Sequence, residues 1–269
     1  MENPIEQNRR VWNERARLQQ VHATPAGEKE FRHARAIVDQ CGWLPRELRG
    51  VPVLCLAAGG GWHGPLFAHL GADVTVVDIS EEMLALDRRI SEERKLRMKI
   101  VRASMDDLSP LPRAAFEIVI QPVSTSYVPD VSVVYREIAN VTKPDGIYIS
   151  QHKQPVSLQA SAQPGAAGYA IRQLYKTGSV LPAEAAGLAH RESGASEFIH
   201  TWESLIGDLC RSGFVIEDLV EPRHGDPKAG PGSLGHRSAY VPPYVTIKAR
   251  RLAGSGSNQN QLWIPNSKE

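Results

Sequence analysis

The segment Val53-Leu54-Cys55-Leu56-Ala57-Ala58-Gly59-Gly60-Gly61-Trp62-His63-Gly64 constrains this chain more than any other. A short apolar run, fit for a buried strand, feeds a glycine-rich turn, and Pro65 opens a helix directly after it. Small side chains at such a turn let a ligand approach the backbone, whose free N–H groups then meet polar atoms. Asp78 closes the next apolar run, Val74–Val77. A carboxylate there can accept hydrogen bonds from both hydroxyls of a ribose. The turn and the acid together point to a nucleoside-bearing ligand.

The rest of the chain supplies the frame for that turn. Residues 4–20 are charged and helix-prone, with Trp12 as the large anchor, and a second helix is expected from Glu28 to about Gln40. Strands are expected at Val51–Leu56, Val74–Val77, Lys99–Val101, Phe116–Ile120 and Gly146–Ser150. Helices are expected between them: Pro65–Leu70, one capped by Ser80, and Val131–Val141 ended by Lys143-Pro144-Asp145-Gly146. This alternation predicts a parallel sheet with helices on both faces. After Ser150 the rhythm breaks, and residues 155–195, rich in Ala, Gly, Gln, Ser and Pro, read as an insertion. A helix Thr201–Arg211, a strand Phe214–Val220, a long loop Pro222–Ser238 and a last strand Tyr244–Ala249 follow. The expected division is N-terminal helices over 1–48, the main domain over 49–252 and a flexible tail over 253–269.

Composition excludes several classes. Apolar residues at 42%, charged residues at 23% and a net charge of +1 describe a soluble globular protein without a field that attracts nucleic acid or anionic membranes. Cys41, Cys55 and Cys210 are far apart and form no metal-ligand pattern, and Cys55 reads as a buried thiol. Neither a signal peptide nor a membrane span is expected, which implies a cytoplasmic protein.

Two cofactor classes fit the turn. Gly59-x-Gly61-x-x-Gly64 with an acid about 20 residues on also satisfies the dinucleotide fingerprint, so an NAD(P)-dependent oxidoreductase is one reading. Downstream residues favour another. Ala57, Gly59 and Gly61 at the turn, Asp78, then Ser104-Met105-Asp106-Asp107-Leu108, Phe116–Gln121, Val128-Pro129-Asp130, Lys143–Gly146 and Leu209–Phe214 follow one another in fixed order. In this the chain resembles the class I S-adenosylmethionine-dependent methyltransferases, the small-molecule group related to the ubiquinone/menaquinone C-methyltransferases. The resemblance covers roughly residues 50–250. It implies a doubly wound, mostly parallel seven-stranded α/β sheet, S-adenosylmethionine as cofactor and a small-molecule acceptor. It also implies a cofactor site of Ala57, Ala58, Gly59, Gly61, Asp78, Ile79, Met83, Ser104, Met105, Asp106 and Gln121, with an acceptor lid over 155–195. A non-catalytic domain of this fold is a third reading. Cys55 stands where the family has an acid, Ser104 where an acid meets adenine, and Ala57 at the first glycine place requires a negative φ.

Methyl transfer from a sulfonium is an in-line displacement that needs alignment and exclusion of water, and a base only where the acceptor carries a proton. No metal is implied. His152, just past the fifth strand, is the first candidate base, His200 the second, and Tyr127 a positioning group. His63 is expected to line the cofactor pocket and Trp12 to close over it. Tyr169, Ile171, Leu174, Tyr175 and Leu181 of the insertion are candidates to face an apolar acceptor. Gln121-Pro122-Val123-Ser124 lacks the tetrad of amino-methylating DNA enzymes, so no nucleic-acid partner is expected.

Overall fold

The computed structural model describes residues 3–182 and 191–253. Helix α1 (Pro4–Arg17) is followed by two short helices, α2 (Glu28–Arg32) and α3 (Ala34–Val38). The single helix expected from 28 to 40 is broken at His33, whose φ of −113° and ψ of 21° leave the helical region. The break lets Phe31 bury with Ala26, Ala34, Leu66 and Ile90.

The alternating region runs β1 (Pro52–Leu56), α4 (His63–His69), β2 (Asp73–Asp78), α5 (Glu81–Arg94), β3 (Met98–Arg102), β4 (Phe116–Gln121), α6 (Val131–Val141) and β5 (Thr142–Lys153). Residues 143–146 do not form a separate turn. They lie inside β5, where the pairing with β4 slips between Phe116 and Ile118 and Asp145 adopts a φ of +62°. Pro144 lacks an N–H to give to a ladder, and this irregularity is where a strand tolerates one. The later part comprises α7 (Pro155–Gln159), β6 (Ser179–Val180), β7 (Phe198–Ile199), α8 (Asp208–Arg211) after a π turn at Glu203–Gly207, β8 (Phe214–Val220), α9 (Leu234–Tyr240) and β9 (Tyr244–Arg251).

The large sheet has the order β3-β2-β1-β4-β5-β9-β8, with β9 antiparallel to both neighbours. The order reverses at β1, which pairs with β2 on one side and β4 on the other. Ligands in such sheets sit outside the carboxyl ends of the strands at that reversal. Both faces are covered, so β1 carries no polar alternation. Leu54 and Leu56 pack with Val119, Tyr135 and Tyr148 on one face, and Val53 and Cys55 pack with Phe67, Val76 and Ile118 on the other. Burial pushes the Cys55 thiol pKa up.

The expected loop 222–238 hides α9. Ser233 caps it by accepting from the His236 amide. Arg237, 3% exposed, donates to the Ser157, Ala160 and Ser161 carbonyls and pins α9 to α7. The glycine and proline content of the segment masked this short helix, although its Ser cap was legible. Among the described residues no helix is long and apolar enough to cross a membrane. The tail expected from 253 onward lies outside the described residues from 254.

A buried ion network ties the insertion to the end of β5. Lys153 Nζ donates to Glu192 and Glu197 at 2.7 and 2.9 Å, and Arg191 lies 3.5 Å from Glu197. Removing one partner of such a set strands buried charge, at a cost of about 3–5 kcal/mol. Glu197→Ala is therefore expected to lower urea-unfolding stability by about 3 kcal/mol. A loss below about 1 kcal/mol would show that water reaches the network.

Candidate functional site

Two carboxylates shape the glycine turn. Asp78, at the end of β2, accepts from the Gly59 amide through Oδ2 and from the Ser80 amide through Oδ1, both at 2.9 Å. Asp87, fully buried on α5, accepts from the Gly60 amide at 2.8 Å. The turn and the start of α5 are in close contact: a Cβ on Gly59 would stand 2.9 Å from Met83 Cβ and 3.0 Å from Asp78 Cβ. Gly60 and Gly61 adopt φ of +113° and +73°. Ala57 does not keep the negative φ that its side chain prefers. It sits at +48°, where an L-residue is strained by about 1 kcal/mol.

The turn forms one wall of a cavity of about 960 Å³ above the carboxyl ends of β1, β4 and β5 and the amino end of β9. Of the expected cofactor residues, Ala57, Ala58, Gly59, Asp78, Ile79, Met83, Ser104, Met105 and Gln121 line it. Gly61 and Asp106 do not. Gly61 faces the N-terminal segment instead: its carbonyl accepts from the Ala26 amide, and a Cβ there would meet Pro25 at 3.0 Å. Gln121 has its polar atoms committed within the wall, accepting from Tyr148 and donating to Ser124 and to the Met105 sulfur. His63 lines the cavity, as expected, and burial lowers its pKa to about 4, so it is neutral at pH 7.

Helix α1 closes one side. Asn13 binds the Ser80 hydroxyl and Glu81, while Arg9 pairs with Glu81 and Arg17 with Glu82. This docking brings Asn8 and Trp12 to the cavity, with Trp12 edge-on to Tyr127 at 5.8 Å. Tyr127 also lines the cavity and donates its hydroxyl to Glu192 at 2.6 Å. Burial, then the charge of Glu192, holds the Tyr127 pKa well above its ordinary value, so it remains a phenol. Burial works to raise the Glu192 carboxyl, yet Lys153 and the Tyr127 hydroxyl hold it below the ordinary range.

The two candidate histidines are not on the cavity wall. His152 is fully enclosed, its ring nitrogens 2.9 Å from the Thr125 hydroxyl and 2.7 Å from that of Ser150. Burial lowers its pKa to about 3. His200, 4% exposed, donates Nε2–H to the Thr125 carbonyl. Both order the segment after β4, His152 through the Thr125 hydroxyl and His200 through the Thr125 carbonyl. Ser150 and His152 share one face of β5 and hydrogen-bond each other; Ser150 lines the cavity, while His152 packs edge-on against the Tyr135 ring. The insertion residues Tyr169, Ile171, Leu174, Tyr175 and Leu181 also miss the cavity. Ile171, Leu174 and Tyr175 are exposed, and Leu181 packs with Leu158 and Ile199. The insertion contributes Glu192 instead.

Asp87 was legible but overlooked. Met83, Leu84, Asp87 and Ile90 are the buried positions of α5, so an acid occupies a core place in a helix otherwise amphipathic at 3.6-residue spacing. The far half of the cavity was also missed. It is lined by Trp43, Arg223, His224, Tyr244 and Thr246 from segments distant in sequence.

The dinucleotide-binding sheet is wholly parallel, in the order 3-2-1-4-5-6, whereas this sheet places an antiparallel strand between β5 and β8. That architecture, with a glycine turn and a carboxylate at the reversal point, defines a Rossmann-like methyltransferase domain. A family model described as "Methyltransferase domain" matches residues 54–150. The chain is 36% identical over 186 residues to "Uncharacterized methyltransferase YbaJ" of Bacillus subtilis, covering 68% of this chain and 72% of that protein. It is 32% identical over 100 residues to a "Ubiquinone biosynthesis O-methyltransferase" of Xanthomonas euvesicatoria, covering 37% of this chain and only 42% of that protein. Among solved structures, an S-adenosylmethionine dependent methyltransferase from Mesorhizobium loti aligns with a TM-score of 0.62 at 26% identity, covering 84% of this chain and 99% of that one. The chain belongs to the S-adenosylmethionine-dependent methyltransferases.

Burial pushes the Asp87 carboxyl up to about 7, against the Gly60 and Gly61 amides and with the Asp78 charge adding to the rise. A carboxyl whose pKa is raised on folding gives most stability below its unfolded pKa, near 3.9, and loses it as pH rises toward 7. The stability of Asp87→Asn relative to wild type is expected to climb by about 2–4 kcal/mol between pH 4 and pH 8, followed by urea unfolding. A pH-independent difference would place the folded pKa of Asp87 near its ordinary value.

Proposed function

We propose that this enzyme methylates a small molecule, with Asp78 holding the cofactor's ribose and the turn at Ala57–Gly59 facing its amino-acid end. The observation that carries the reading is the position of Asp78: it faces the cavity, and two amides fix its rotamer without using all its acceptor capacity. The neighbouring donor set suits an adenosyl group. Ile79, Met83 and Met105 give apolar faces, and the Ser104 hydroxyl stands at the wall expected to meet adenine.

When bound, S-adenosylmethionine supplies an electrophilic methyl group on a sulfonium. The protein's part is to align the acceptor and exclude water. Helix α1 covers the cleft through Trp12, and the Tyr127–Glu192 pair presents a fixed phenol at the wall. Tyr127 is a positioning group in this reading. His152 and His200 act by ordering Thr125 and its neighbours, and neither takes a proton from the acceptor. The small-molecule reading is supported by enclosure: α1, the segment after α3 and the 220–224 loop all border the cavity. Glu192, from the described part of the 155–195 insertion, lines the cavity and is held there by Lys153 of β5.

Asp78→Ala would orphan the Gly59 and Ser80 amides as well as the ribose, so Asp78→Asn is the sharper variant. Removing the charge from a charged hydrogen-bonding pair costs about 1.5–3 kcal/mol. Calorimetric affinity for S-adenosylhomocysteine is expected to fall tenfold or more with the circular dichroism spectrum retained. Unchanged affinity would remove Asp78 from the ribose site.

A further inference from the structure

The cavity stands at the upper end of the size range for a single-ligand site, about 300–1,000 Å³. Its far half lies over β5, β9 and the end of β8. At about 4.8 Å per strand, β9 is about 14 Å across the sheet from β1 and its glycine turn. Trp43 and Tyr244 border this half, and His224 stands edge-on to Tyr244 at 5.7 Å.

The charges around the cavity are unevenly matched. Among the described residues, four Asp, Glu, Lys or Arg side chains line it: Asp39, Asp78, Glu192 and Arg223. The three acids are all engaged within the protein. Asp39 accepts from Arg35 and from the Trp43 and Leu44 amides, Asp78 from the Gly59 and Ser80 amides, and Glu192 from Lys153 and Tyr127. Arg223 has no ion pair or hydrogen bond with any described residue. Arg223 is exposed on the lining of a cavity that Trp43 and Tyr244 also border, and the three acids of that lining are committed elsewhere; its guanidinium is suited to a planar anion that it can bind through two parallel hydrogen bonds.

We propose that the far half of the cavity is the acceptor chamber and that it selects a flat, carboxylate-bearing acceptor, with Arg223 binding the carboxylate and Trp43 and Tyr244 flanking the ring. This rests on the methyltransferase reading of the near half, and it adds the chemical class of the acceptor. Arg223 acts here as a specificity residue: it sets which molecule lodges beside the cofactor and does not touch the methyl group.

The test uses the full chain saturated with S-adenosylhomocysteine. Calorimetry measures binding of benzoate, 2-naphthoate and indole-3-acetate, each against its own primary amide, to wild type and to Arg223→Ala. At least one carboxylate is expected to bind tenfold or more tightly than its amide to wild type. Arg223→Ala is expected to abolish that preference and leave S-adenosylhomocysteine affinity unchanged. The proposal is overturned if no carboxylate outbinds its amide, or if the preference survives in Arg223→Ala. It is equally overturned if the variant loses affinity for S-adenosylhomocysteine, which would assign Arg223 to the cofactor. Failure of wild type to bind S-adenosylhomocysteine at all would instead refute the cofactor reading beneath it.

Discussion

The grip of two carboxylates on one turn is the constraint from which the rest follows. Asp78 holds the Gly59 amide and Asp87 the Gly60 amide, so the turn after β1 is tied both to the end of β2 and to the inner face of α5. Side chains at these glycines would collide with Met83 and Asp78, and two of the three φ angles are positive. The strain at Ala57 persists because its surroundings over-determine it. A turn held this firmly presents its backbone to the cleft without needing a ligand to organise it, which reduces the ordering cost of binding.

The cleft's other walls obey the same logic of pre-engaged polar groups. Asn13 and the arginines of α1 lock that helix onto the start of α5, and the Lys153 network fixes Glu192 beside Tyr127. Buried polar groups so satisfied rigidify a site. Around this cavity the lining acids are engaged, while exposed Arg223 has no ion pair or hydrogen bond among the described residues, a contrast visible only once segments 39–43, 220–224 and 244–246 are assembled.

Much of this was legible in the sequence. The alternation of apolar runs and capped helices located β1 to β5 and α4 to α6, because each bears both a periodic apolar pattern and local stop signals. Ser80 and Asp78 stood at their posts for the same reason. The parts that were not legible depend on tertiary placement. His152 looked like a base because it follows the expected fifth strand, but β5 runs on to Lys153 and His152 lies inside it, enclosed between two hydroxyls. Residues 143–146 do follow the end of α6 at Val141, but they form a bulge inside β5, between Thr142 and Ile147, which pair with Phe116 and Ile118. The insertion's aromatic residues looked like an acceptor wall. The structure sends them elsewhere and builds the far wall from Trp43, Tyr244 and a loop after β8. No spacing rule connects those residues.

The most direct test of the central claim is a crystal structure of the full chain with S-adenosylhomocysteine. The account predicts both ribose hydroxyls within about 3.2 Å of the Asp78 carboxylate, with the Gly59 and Ser80 amides still donating to it. A ribose seated away from Asp78, or a glycine turn rebuilt on binding, would contradict it.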